Sequence, residues 1–133
     1  KEDLVPATTV VYDQTGTPAV GFAILNNPSG MNNLIVQVSV KGVPTGVVYE
    51  VFLEEYSAAK TWLGYANIGQ LTVNKQGNGN AHFNLNPTIV SGWASRQLSA
   101  MLASGAIHHL QVAIAIPDGA YCWATDAVPI NLK

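Results

Sequence analysis

Eight carboxylates, three histidines and one cysteine are the groups from which this 133-residue chain could assemble a reactive centre. Acid–base catalysis needs such groups brought together. Glu50, Glu54 and Glu55 form the one dense acidic group, and on an extended strand Glu50 and Glu54 share a face about 13 Å apart. That exceeds the separation of a paired-carboxylate glycosidase, so these glutamates read as a solvated strand face. Asp13, Asp118 and Asp126 fall in turn-like contexts, where a carboxylate commonly bonds its own backbone. No loop has the acidic density of a calcium-binding EF-hand. His82 takes the opposite phase to Ala81, Phe83 and Leu85 and so points outward. His109 points outward with Gln111, while His108 shares the inward phase of Leu110 and Val112. Neighbouring strand residues face opposite ways, so His108 and His109 do not chelate one ion from a regular strand. His82 and His109 could meet across a sheet, yet tetrahedral zinc would still need ligands from elsewhere. Cys122, between Tyr121 and Trp123, reads as a small buried thiol. Ser29-Gly30, Ser91-Gly92 and Ser104-Gly105 lack the flanking glycines of a nucleophile elbow. No metal, cofactor or catalytic residue is expected.

Aromatic side chains offer a different chemistry. Tyr56, Trp62, Tyr65, Trp93 and Trp123 are the large rings outside the clearest core rows, and the segment from Tyr56 to Tyr65 reads as a loop. Two or three coplanar rings on one face would suit a sugar, whose apolar C–H faces stack on them while Asn and Gln meet its hydroxyls. The competing reading makes these rings half-buried end caps of the fold.

The elements that must carry these groups are strands. Leu34, Val36, Val38 and Val40 alternate with Ile35, Gln37, Ser39 and Lys41, a period of two. After the turn Gly42-Val43-Pro44-Thr45-Gly46, Val47, Tyr49, Val51 and Leu53 oppose Val48, Glu50, Phe52 and Glu54, so the two runs read as a hairpin. Ile68–Val73 and Ala81–Leu85 flank an Asn- and Gly-rich turn and read as a second hairpin. Ile107–Ile116, closed by Pro117-Asp118-Gly119, pairs back onto Ala120–Thr125. Val10–Tyr12, Ala19–Leu25 and Val128–Leu132 complete the set. Ala94, Leu98, Met101 and Leu102 recur at helical spacing ahead of Gly105, which predicts one short helix near residues 94–104. The expected fold is all-β: an antiparallel Greek-key, immunoglobulin-like β-sandwich of about 8–9 strands in one domain, residues 1–133.

Composition narrows the partners. The chain is 48% hydrophobic and only 11% charged, with a formal net charge of −2. Such a chain buries enough surface to fold without disulfide or metal staples. Six basic residues against eight acidic ones leave no stripe to collect phosphates, so nucleic acid is not an expected partner. No apolar run approaches the ~18 residues of a membrane helix. The chain starts at Lys1 and not at Met, which fits removal of an export signal or trimming of a longer chain; a secreted or cell-surface location is expected. Asn27-Pro28-Ser29 and Asn86-Pro87-Thr88 both carry the proline that blocks N-glycosylation.

Val36–Glu54, with its Gly42–Gly46 turn, and Ile68–Gly79 together resemble the glycine-turn hairpins of the copper-zinc superoxide dismutase and chordin-domain sandwiches. The likeness covers about a third of the chain and implies a Greek-key sandwich. Where the enzyme family's metal histidines would follow the first turn, this chain has Val51 and Leu53, or Phe52 and Glu54 in the slipped register. The enzyme's disulfide pair is missing too, since Cys122 stands alone. The resemblance therefore implies the fold without dismutation. The expected role is a non-enzymatic interaction or structural-assembly module, self-associating by strand addition through Thr8–Tyr12. Carbohydrate binding through the exposed aromatics is the alternative, and a metal-binding dismutase-like role is a third, weaker one.

Overall fold

The computed structural model describes residues 1–28 and 32–132, so the Ser29-Gly30 pair lies outside the described residues. Nine antiparallel strands and one short helix are found among them: β1 Glu2–Pro6, β2 Gly21–Asn26, β3 Leu34–Val40, β4 Tyr49–Tyr56, β5 Trp62–Leu71, β6 Gly79–Leu85, α1 Leu98–Met101, β7 Ala106–Ala115, β8 Tyr121–Ala124 and β9 Val128–Leu132. They form one hydrogen-bonded sheet in the order β5-β4-β7-β8-β1-β2-β3-β6, with β9 also paired to β7. The sheet curls until β5 and β6 nearly meet, giving a barrel-like wall around the core.

Strand β1 joins the two halves of that wall. Its first residues pair with β2, Glu2 opposite Ala23 and Leu4 opposite Gly21, whereas Val5 and Pro6 pair with Ala124 and Trp123 of β8. The closing seam is side chain on backbone: β5 and β6 share no ladder, and the Phe83 ring fills the space where a side chain at Gly69 would stand. Gly69 also has φ 146°, a left-handed backbone that glycine adopts without a Cβ penalty.

Alternation decides what lines the interior. Leu34, Val36, Val38 and Val40 of β3 and Tyr49, Val51 and Leu53 of β4 are buried together with Leu110, Val112 and Ile114 of β7. Leu98, Met101 and Leu102 of the helical segment join the same cluster.

Several expected elements change. β3 and β4 are not a hairpin, because β3 pairs with β2 and β6 while β4 pairs with β5 and β7. The chain crosses from one half of the wall to the other at residues 41–48. The predicted β5–β6 hairpin fails likewise, although its turn is well formed: the Asn74 side chain accepts from the Gln76 and Asn78 amides. Pairing of β7 with β8 stands. The helix is one turn long, because Ala94 is drawn into an isolated bridge with Ala66. The loop expected from Tyr56 to Tyr65 shrinks to residues 57–61, since β4 runs to Tyr56 and β5 starts at Trp62. Val10–Tyr12 is not a strand. The segment after β1 instead straps over the outside of the wall: Gln111 Nε2 donates to Val11 O and the Ala127 amide to Tyr12 O.

Candidate functional site

The strap lies over the outer face of β4, β5, β7 and β8. With Tyr49, Val51 and Leu53 turned into the core, strand alternation turns Glu50, Phe52, Glu54 and Tyr56 outward. Opposite them on β7 stand Ala115, Ala113, Gln111 and His109. The two alanines and Ala124 of β8 are fully buried against Phe52 in a second, smaller apolar cluster, with Ala7, Val10, Tyr65 and Tyr121 packed on it. Small side chains on β7 leave room for rings carried by the flanking strands.

Phe52 is the centre of those rings. Tyr65, Trp93 and Tyr121 each meet it edge-on, with centroids 5.7, 4.9 and 6.2 Å away. At the rim, Trp62 and Tyr65 lie within 18° of parallel with centroids 6.2 Å apart, and Trp62 is 46% exposed. Thr8, Thr9, Val10, Trp62, Tyr65 and Tyr121 enclose an open cleft of about 440 Å³.

Behind this cleft is Glu54, 0% exposed. Trp62 donates its indole N–H to Oε1 at 2.9 Å, and Tyr121 donates its hydroxyl to Oε2 at 3.1 Å. These bonds favour the charged carboxylate, but desolvation outweighs them and pushes Glu54 up to about 7. Burial also raises the Tyr121 and Tyr56 hydroxyls, with Glu54 adding to both shifts. Two of the cleft's rings are thus held in place by one buried acid.

A larger groove of about 650 Å³ opens beyond Trp93, in the gap between β5 and β6. Its polar lining includes Glu50, Asn67, Gln70, His82, Asn84 and Ser91. Asn67 and Gln70 each donate to the Glu50 carboxylate at 3.3 Å.

Of the aromatics singled out in the sequence, Trp62 and Tyr65 come together at the cleft, and Trp93 joins them through Phe52. Tyr56 is buried against Tyr12, its hydroxyl bonded to Gln111. Trp123 is buried on the core side against Tyr49. Neither of these two rings faces the cleft. The expectation of a solvated glutamate face is overturned, since Glu54 and Glu55 are both buried. Glu55, on the inner phase, receives Arg96 Nε at 2.7 Å and lies 2.6 Å from His108 Nδ1. His108 Nε2 faces the Ala103 carbonyl at 2.8 Å, so both ring nitrogens meet acceptors. His82 is exposed opposite Gln37, while His109 meets the Tyr12 hydroxyl at 2.8 Å. Burial raises the Cys122 thiol, which disfavours the nucleophilic thiolate. Among the described residues no three His, Cys, Asp or Glu side chains gather to hold a metal ion, and no helix is long and apolar enough to cross a membrane.

Sequence reasoning missed Phe52, Tyr121 and Glu54 as members of the site. Phe52 carried a signal, an aromatic in the outward row between two glutamates. Tyr121 and Glu54 carried none, because their meeting depends on β7 lying between β4 and β8. Comparison with protein-family models, curated proteins and solved structures finds no match to the chain.

Proposed function

We propose that this chain is a non-catalytic carbohydrate-binding module of the cell exterior, taking a sugar into the cleft at Trp62 and Tyr65. The observation that carries the reading is the pair of nearly parallel, partly exposed rings, one of them anchored to a buried acid that has no open path to a ligand. Rings held rigidly lose little freedom on binding, so their contact area converts efficiently into affinity. Thr8 and Thr9 at the cleft supply hydroxyls for a polar ligand.

Strand addition through Thr8–Tyr12 has less support than this, because Val11 and Tyr12 use their carbonyls within their own chain. Protein interaction keeps one favourable observation: Ile89 and Val90 form an exposed apolar tip, with Val90 80% exposed. The halves β6-β3-β2-β1 and β1-β8-β7-β4-β5 are read as the layers of a Greek-key sandwich sharing β1.

Titrating neutral oligosaccharides while following tryptophan fluorescence tests the function. Binding by the native chain and its loss in Trp62→Ala is the expected result. A flat signal across gluco-, xylo-, manno- and N-acetylglucosamine oligomers, with no heat of binding, would discard the reading.

A further inference from the structure

Resting on the carbohydrate reading, we infer that the ligand is an extended neutral glycan chain that runs along β5, from the Trp62–Tyr65 rings past Trp93 into the groove between β5 and β6. A module for a single terminal sugar would need only the first cleft. Here the aromatic path does not stop at that cleft: Phe52 links Tyr65 to Trp93 by edge contacts at both ends, and Trp93 lines the second groove. From Trp62 to Gln70 the strand covers about 26 Å at the usual rise, a track several sugar units long.

The chemistry changes along that track in the way a chain ligand needs. The first cleft is ring and hydroxyl. The second presents the Glu50 carboxylate, which accepts from hydroxyls, and the Asn67, Gln70 and Asn84 amides, which bond them in either sense. The Asn67 and Gln70 bonds to Glu50 are long, 3.3 Å each, and open to replacement by ligand hydroxyls. Charge selects within the class. Neither cleft is lined by Lys or Arg, with His82 the one imidazole in the second groove, and Glu50 faces that groove, so uronate-rich or sulfated chains meet no fixed cation and one repelling carboxylate.

β-1,4-linked gluco-, xylo-, manno- and N-acetylglucosamine oligomers of two to six units, titrated by calorimetry, test the inference. In the series that binds, affinity should rise about tenfold or more from dimer to hexamer, the gain of one or two added hydrogen bonds and a ring contact. Trp93→Ala should remove that gain. Gln70→Ala, an exposed position that does not risk the fold, should weaken the hexamer severalfold and spare the dimer. Affinity that is flat with length, or a length dependence untouched in both variants, would overturn the extended-chain inference and leave the cleft at Trp62 standing. Absence of binding by every oligomer overturns both.

Discussion

Glu54 shows how far one residue can depart from its type. Its folded carboxyl keeps its proton up to about 7, against 4.5 for an ordinary glutamate. Below pH 4.5 the group is neutral in the folded and unfolded chain alike. Between there and pH 7 only the unfolded chain has released its proton, so stability falls as pH rises through this window, by on the order of 3 kcal/mol. Thermal melts from pH 4 to 8 should show that decline in the native chain and not in Glu54→Gln, whose neutral amide can accept from Trp62 through its oxygen and donate its N–H to the Tyr121 hydroxyl oxygen. Matching slopes would mean that Glu54 ionises normally. Glu55 is the other buried glutamate of β4. It is buried between Arg96 and His108, and Glu55→Ala would leave two donors facing a void, at a cost of about 3 kcal/mol. Chemical denaturation measures this directly, and a loss under 1 kcal/mol would show that the cluster is slack.

At the scale of elements, β4 is the instructive strand. It is buried on both faces, by the core on one side and by the strap and rings on the other. Its alternation told correctly which residues share a face. It could not tell that the outer face is covered, because the cover comes from Ala7–Tyr12, some forty residues earlier. The hairpins failed for a related reason: period-two patterning identifies strands and their faces, while pairing depends on which edges meet after the chain crosses between halves. Of the site, Trp62, Tyr65 and Trp93 were legible as aromatics outside the core rows. Tyr56 and Trp123 have the same sequence appearance and end up buried. Strand β5 carries a second lesson at its seam with β6. Gly69→Ala would combine a strained backbone with a clash against Phe83, and a loss of about 1–3 kcal/mol is expected. A urea midpoint unchanged by the substitution would mean that the seam is open in solution.

The whole molecule depends on one continuous interior. Val38 is 2% exposed at its centre, and Val38→Asp places an unpaired charge where no partner exists, an effect exceeding 4 kcal/mol. Circular dichroism should show loss of the cooperative melt. A variant melting near the native temperature would put β3 outside the core. The interior is also why the fold class was readable at all: a chain with this much alternating Val, Ile and Leu and so little charge can bury its apolar rows only by folding strands around them.

Because β1 is stitched to β2 by its first residues and to β8 by its last, any tension applied at the amino end is delivered to the joint between the halves and not to a peripheral ribbon. Peeling away those five residues would unbutton both halves at once. A molecule tethered there and pulled in a single-molecule trap should give way in one abrupt rupture, with no partly opened stage.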